Sequence, residues 1–246
     1  MKLEDRIAVV SGAAQGIGCG IARLFANEGA RVMILDINIE TGSRTASSIA
    51  NAEFIHCDVA SKTAIDTSVE SIIGRHRQID VCVNNAGILR SGDVLDISEQ
   101  DFDEVLGVNL KGAFLCAREV YPHMVKCGGG KIINIGSMTS TFGLDFASVY
   151  AASKGGIVQL AKSQSLAWAK DNIQVNCILP GWIKTELTSR LQFNNPERYS
   201  LINKRIPAGR WGEPNDFAGI AVFLASSASD YVTGIAIPID GGYTAF

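Results

Sequence analysis

Tyr150 and Lys154 stand four residues apart in a stretch, Val149 to Lys170, whose pattern predicts a helix. Side chains at i and i+4 share one helix face, a turn apart, so a phenol is placed beside an ammonium. A free tyrosine titrates near 10, too high for proton exchange around neutrality. An ammonium about 4 Å away favours the phenolate by about 4 kcal/mol at an effective dielectric of about 20. At about 1.36 kcal/mol per unit, that predicts a lowering of roughly three units, into the working range of a general acid/base. Ser137 follows the apolar run Ile132 to Ile135, which reads as a buried strand. A hydroxyl at a strand's carboxyl end points into the crevice where open parallel sheets bind ligands. The types and spacing therefore imply that Tyr150 moves a proton, Lys154 tunes it, and Ser137 holds the oxygen being oxidised or formed. An isolated Tyr-x-x-x-Lys is most often a solvated helix face, so the weight falls on the elements that position it.

The first of these is Ile7 to Val10, a short apolar β run, followed by Ser11-Gly12-Ala13-Ala14-Gln15-Gly16-Ile17-Gly18 and then Ile21, Leu24 and Phe25 at helical spacing. Strand, glycine-rich turn and helix are the context a phosphate-binding loop requires. Gly12, Gln15, Gly16, Ile17 and Gly18 are the expected contacts, because glycines admit a pyrophosphate close to the backbone and leave helix N-terminal amides facing its charge. The spacing Gly-x-x-x-Gly-x-Gly differs from the commoner Gly-x-Gly-x-x-Gly.

A second run, Arg31 to Leu35, ends in Asp36, eighteen residues beyond Gly18. An acid at about that distance hydrogen-bonds the adenosine ribose hydroxyls. Its charge repels a 2′-phosphate, and neither Gln15 nor Ile37 supplies a compensating cation, so NAD is expected rather than NADP. The alternative is that Asp36 only caps the next helix. Glu53 to Cys57 predicts a third strand, followed by Asp58, placed to reach the adenine, and Val59; His56 reads as a strand-face residue. A fourth strand, Ile79 to Val83, closes on Asn84-Asn85-Ala86-Gly87. Amides and small residues there suit backbone packed against a cofactor, and a structural turn is an equally fair reading of those four alone. The strand–helix alternation predicts a parallel, doubly wound α/β sheet.

At 246 residues the chain accommodates one α/β domain or two small ones, and 47% apolar content with 25 glycines suits a large core with many tight turns. A net charge of −3 without a basic cluster argues against a nucleic-acid partner. The start, Met-Lys-Leu-Glu-Asp-Arg, carries acids unlike a secretion signal, and no apolar run approaches the roughly 18 residues that cross a bilayer. Six scattered cysteines without a C-x-x-C pair read as reduced thiols, so a cytoplasmic protein with no membrane association is expected. His56, His76 and His123 lack partners at ligand spacing, so no metal is expected.

With the glycine loop, Asn84-Asn85-Ala86-Gly87 and Ser137/Tyr150/Lys154 in this order, the chain resembles the short-chain dehydrogenase/reductase family from near residue 5 to its end. The resemblance implies a seven-stranded parallel Rossmann sheet with helices on both faces, in one domain spanning residues 1–246. It implies a nicotinamide cofactor lying against Asn85, Ala86 and Gly87, and a catalytic set of Ser137, Tyr150 and Lys154 with Asn109 as fourth member. In the family that asparagine distorts its helix and holds a water leading to the lysine; by itself Asn109 reads as an ordinary helix residue. Tyr150 and Lys154 also count among the cofactor contacts, the lysine at the nicotinamide ribose. A sixth strand, Ile173 to Leu179, runs into Pro180, Gly181, Trp182, Ile183, Lys184 and Thr185. By resemblance this turn packs on the nicotinamide, with the Ile183 backbone and the Thr185 hydroxyl at its carboxamide. The family's glycine motif usually begins with threonine; here it begins with Ser11, which retains the hydroxyl. Many NADP-preferring members carry a basic residue before the second glycine, where this chain has Gln15.

Residues of about 186–210 are polar and irregular, as in a substrate lid. Expected substrate walls are Thr139, Phe142, Leu144 and Phe146, with Ile88, Trp182 and Leu187; Arg90 is a candidate grip for an acidic substrate. Glu213 to Ala225 predicts a helix and Ile235 to Ile239 a last strand. Family members commonly form homotetramers. The tail Gly234 to Ile239 and the small-residue face Ala151, Ala152, Gly155, Gly156 are compatible with that, and intramolecular packing accounts for them equally well. The expected activity is an oxidoreductase moving a hydride between NAD(H) and a secondary alcohol or ketone, with Tyr150 as general acid/base. A sugar, polyol or gluconate-like acid and a hydrophobic ketone both suit it. One alternative is a 3-oxoacyl-[acyl-carrier-protein] reductase-like enzyme using NADPH, disfavoured by Asp36 and the lack of a basic patch for an acidic carrier. A non-catalytic dinucleotide sensor is disfavoured because the Ser–Tyr–Lys set is complete.

Overall fold

The computed structural model describes residues 1–186, 188–189 and 195–245. Its sheet is built from β1 (Ile7–Ser11), β2 (Arg31–Asp36), β3 (Ala52–His56), β4 (Val81–Asn84), β5 (Gly130–Ile135), β6 (Ile173–Pro180) and β7 (Ala236–Ile239). The spatial order is β3-β2-β1-β4-β5-β6-β7 and each neighbouring pair is parallel. Every residue of β1, β4 and β6 is buried, the signature of strands covered on both faces.

Alternation along the strands divides the core in two. Val9, Cys82, Ile132 and Val175 face α3 (Lys62–His76), α5 (Gly112–Lys126) and α6 (Ser148–Trp168). Val10, Val83, Ile133 and Ile178 face α1 (Gly16–Asn27) and α8 (Ala218–Ala225), with Ile21, Phe25 and Val222 opposite them. The remaining helices are α2 (Ile39–Ser47), α4 (Glu99–Leu106) and α7 (Pro196–Arg205). The doubly wound α/β fold expected from the alternation is therefore present, with strand ends within two residues of their predicted places. Glu213 to Ala225 is not one helix: Pro214–Phe217 forms a tight 3₁₀ turn before α8. No described helix is long and apolar enough to cross a membrane.

Strand order reverses between β1 and β4, and ligands bind open sheets beyond the carboxyl ends of the strands at that point. The glycine loop leaves β1 there, and Asn84 to Gly87 leave β4 beside it.

Candidate active site

Gly12 adopts φ +62°, and a Cβ on it would lie 2.6 Å from Ala86 Cα, so only glycine lets these two strand exits meet. The Ser11 hydroxyl ties them. It donates to Val83 O at 3.3 Å and accepts from the amides of Asn85 and Ala86 at 3.1 and 3.2 Å. The Asn85 side chain returns two bonds, to Ser11 O at 3.0 Å and Gly12 O at 2.8 Å. Serine thus performs every bond that the turn asks of a hydroxyl at this position. Gly18 lies behind the loop, where a Cβ would strike Asn85 Nδ2 at 2.5 Å.

Asp36, at the end of β2, accepts from Ala14 N and Asn38 N, each at 3.0 Å. It does not cap α2: that cap is Asn38, whose side chain accepts from Thr41 N at 2.9 Å. Asp36 instead braces the glycine loop and presents its charge to a cavity of about 410 Å³. Gly12, Gln15, Gly16, Ile17 and Asp36 line one end of that cavity, with Asp58 and Val59 beside them. Asn85, Ala86 and Gly87 form one wall and Pro180, Gly181, Ile183 and Thr185 another. Ser137, Tyr150 and Lys154 close the far end. Among the expected cofactor contacts only Gly18 stands off the cavity surface.

Between α4 and α5 the chain widens into a π-helical turn, Gly107–Lys111, a distortion that frequently marks functional sites. Asn109 lies within it, buried and off the cavity surface. Its Oδ1 accepts from Ile88 N at 2.8 Å, and its Nδ2 donates to Ile88 O and to Ser153 Oγ, both at 3.0 Å. Lys154 Nζ and Asn109 Oδ1 each lie 3.4 Å from where a Gly87 side chain would begin. Ser137 is fastened by Ser140, whose Oγ accepts from Ser137 N at 3.2 Å and donates to Lys154 O at 2.7 Å. Nothing in the sequence pattern singled out Ser140 or Ser153.

Lys154 donates to Ile135 O at 2.7 Å, and its Nζ stands 5.7 Å from the centre of the Tyr150 ring. Burial pushes the lysine down to about 8. Burial also pushes the Tyr150 phenol up to about 12, with the Ser137 hydrogen bond pulling the other way. The three-unit lowering expected from the ammonium's attraction alone does not hold in the free protein, because withdrawing a phenolate from water opposes ionisation and is the larger effect. The ring remains half-buried, so part of it faces the cavity.

The residues expected as substrate walls after Ser137 form a cluster beside the cavity rather than its surface. Phe142, Leu144, Phe146 and Trp182 pack with Met138, Ile202, Trp211 and Tyr243 in a third apolar cluster, and none lines the cavity. Thr139 is buried beside Ser137, donating its amide to Ser137 Oγ at 3.1 Å. Leu187 lies outside the described residues. Arg90 is engaged by Asp101 at 3.2 Å and Glu104 at 2.9 Å. Ile88 does line the cavity, together with Val108, Glu186 and Thr188, which sequence reasoning passed over. Glu186 and Thr188 fall within three residues of Thr185, and that nearness is the available signal.

A dinucleotide fits the cradle. Gly16, at φ +61°, starts α1 with no acidic residue in its first turn, so amides and helix dipole face the cavity unopposed. A family model described as enoyl-(acyl carrier protein) reductase matches residues 12–244. The 2-dehydro-3-deoxy-D-gluconate 5-dehydrogenase of Escherichia coli is 39% identical, over 99% of this chain and 97% of its own. A 3-oxoacyl-[acyl-carrier-protein] reductase of Thermotoga maritima is 38% identical, over 98% and 99%. The crystal structure of a gluconate 5-dehydrogenase from Burkholderia cenocepacia in complex with NADP and tartrate superposes with a TM-score of 0.94 at 37% identity, covering 100% of this chain and 97% of that one. Likeness over nearly the whole chain, in sequence and in backbone, makes this protein a dinucleotide-binding oxidoreductase of the short-chain dehydrogenase/reductase family.

Proposed function

We propose that the protein interconverts a secondary alcohol and its ketone with NAD, acting on a polyol or sugar acid. The observation that carries this reading is a single cavity bounded at one end by the glycine loop with Asp36 and at the other by Ser137, Tyr150 and Lys154. NAD, when bound, supplies the hydride acceptor, and NADH the donor. The residues given the task of holding it are Gly12 to Ile17, Asp36, Asp58, Asn85 to Gly87 and the Pro180–Thr185 turn.

In the reductive direction Tyr150, a neutral phenol, delivers its proton to the substrate oxygen; in the oxidative direction it receives that proton. The Lys154 cation favours the phenolate left after delivery. Ser137 donates a hydrogen bond to the same oxygen, and Asn109 holds the wall opposite. Rate then comes from fixed position and preoriented donors. The stretch of about 186–210 acts as the substrate lid, supported by α7, whose Ile202 sits on the aromatic cluster.

The choice of NAD rests on Asp36, whose carboxylate lines the cavity and would repel a 2′-phosphate held at that end; the Burkholderia cenocepacia relative holds NADP. The substrate class rests on the names of the gluconate-type relatives. A second reading, reduction of an acyl-carrier-protein thioester, is favoured by the Thermotoga maritima relative. A homotetramer is the proposed assembly, supported by Phe114 and Leu166 standing exposed on α5 and α6. The deciding experiment is a panel of polyols, sugar acids, simple ketones and one 3-oxoacyl thioester, assayed with both cofactors and with Tyr150→Phe. Turnover of a polyol or sugar acid with NAD, lost in Tyr150→Phe, is the expected result. Retained turnover in that variant removes Tyr150 from its role.

A further inference from the structure

Ser153 is fully buried, and its hydroxyl sits between two groups on different elements. It donates to the Tyr150 carbonyl at 2.7 Å and receives Asn109 Nδ2 at 3.0 Å. A serine has one proton, and a carbonyl can only accept, so that proton is committed to Tyr150 O. Toward Asn109 the oxygen can only accept, which forces the NH₂ of the carboxamide to face Ser153. The other side of the carboxamide then meets Ile88 in the one orientation that satisfies both partners, Oδ1 to N–H and Nδ2 to C=O. Ile88 lines the cavity next to Ala86 and Gly87, whereas Tyr150 and Lys154 stand on the helix facing them. The chain Ile88–Asn109–Ser153–Tyr150 is thus a closed strut of hydrogen bonds, and the π-helical turn is what lets Asn109 reach both ends.

We infer that Ser153 is a positioning residue: by fixing the Asn109 carboxamide, it holds the Ala86–Ile88 wall of the cofactor cavity and the helix carrying Tyr150 and Lys154 at one spacing. This rests on the reading of Tyr150 as the proton-transfer group. The strut itself does not, and it is tested separately.

In Ser153→Ala, Nδ2 loses one of its two acceptors, and the carboxamide is held by Ile88 alone, untied from the helix. The Ile88 amide is expected to exchange hydrogen at least about tenfold faster than in the parent, with the β4 amides unchanged. NADH affinity, read by fluorescence, is expected to change by less than about threefold, because the glycine loop is untouched. Turnover of the panel substrate that the parent oxidises fastest is expected to fall about tenfold with KM nearly constant, the pattern of lost position rather than lost binding. Asn109→Ala is expected to show the same exchange and rate changes, and the double variant no more than either alone, since both cut one strut. Unaltered exchange at Ile88, or losses that add in the double variant, overturns the inference. A parent protein that oxidises nothing in the panel sinks the enzyme reading, while the exchange data still decide the strut.

Discussion

The ammonium of Lys154 is anchored on the carbonyl of Ile135, 2.7 Å away, and not on the phenol that shares its helix face. That carbonyl lies two residues before Ser137, so one bond fastens the α6 cation to the strand that delivers the serine. The lysine is 3% exposed, and its charge is carried at a cost.

That cost has a sign that can be measured. Lys154 titrates at about 8 in the folded chain against an ordinary 10.5. Between those values the unfolded chain keeps a proton that the folded chain has released, so stability rises with pH across that window. Below it the buried charge costs on the order of 3 kcal/mol. Lys154→Met is expected to melt several degrees higher than the parent near neutral pH, with the advantage shrinking toward about pH 10. Melting curves at both pH values check this, and a gap independent of pH would show that the charge is not the cause.

Tyr150 offers a second titration. With its phenol pushed up to about 12, the free protein is expected to lose no tyrosinate signal below about pH 11 when Tyr150 is replaced by Phe. Difference absorbance between the two proteins makes the measurement. A parent-only transition near neutrality would restore the strong coupling to Lys154 that the spacing alone suggested.

What the sequence revealed and what it hid follow from range. β1, the glycine turn and α1 are contiguous, so period and glycine placement expose them together. Tyr150 and Lys154 are one helix turn apart and equally local. The Ile88–Asn109–Ser153 contacts join three separate segments, and no local pattern makes Asn109 anything but a helix residue. The same limit hid the packing of the aromatic residues. Phe142 and Phe146 follow Ser137 closely, and they pack in one cluster with Tyr199, Trp211 and Tyr243, dozens of residues later. Phe142 stacks on Tyr243 with centroids 6.0 Å apart, a pairing visible only once the chain has closed. Burial is likewise a property of the whole fold, which is why charge proximity alone misjudged the phenol.

Ser11 is a sharper test of the cradle than any glycine, because substitution leaves the backbone path intact. The residue is 4% exposed, and its hydroxyl serves two amides and a carbonyl. Ser11→Ala strands both amides, and a loss of about 1–3 kcal/mol is expected, with weaker NADH binding as the β4 exit loosens. Ser11→Thr keeps the hydroxyl and is expected to stay within about 1 kcal/mol of the parent. Urea unfolding with NADH fluorescence resolves the two. Equal losses in both variants would mean that volume, not the hydroxyl, matters at this turn.

Cofactor choice turns on whether Asp36 acts by charge or by bracing the loop. Its two oxygens hold Ala14 N and Asn38 N, so Asp36→Ala removes both effects at once and confuses them. Asp36→Asn keeps the size and one acceptor oxygen while deleting the charge. If repulsion of a 2′-phosphate sets the preference, Asp36→Asn is expected to raise kcat/KM for NADP relative to NAD by at least about tenfold, equivalent to about 1.4 kcal/mol, with a melting point only slightly below the parent's. Asp36→Ala is expected to gain NADP use as well, but with weaker binding of both cofactors because the loop from Gly12 to Gly16 has lost its brace. Should Asp36→Asn leave the NADP/NAD ratio unchanged while Asp36→Ala weakens both cofactors alike, the carboxylate acts on the loop alone, and the proposed choice of NAD loses its support.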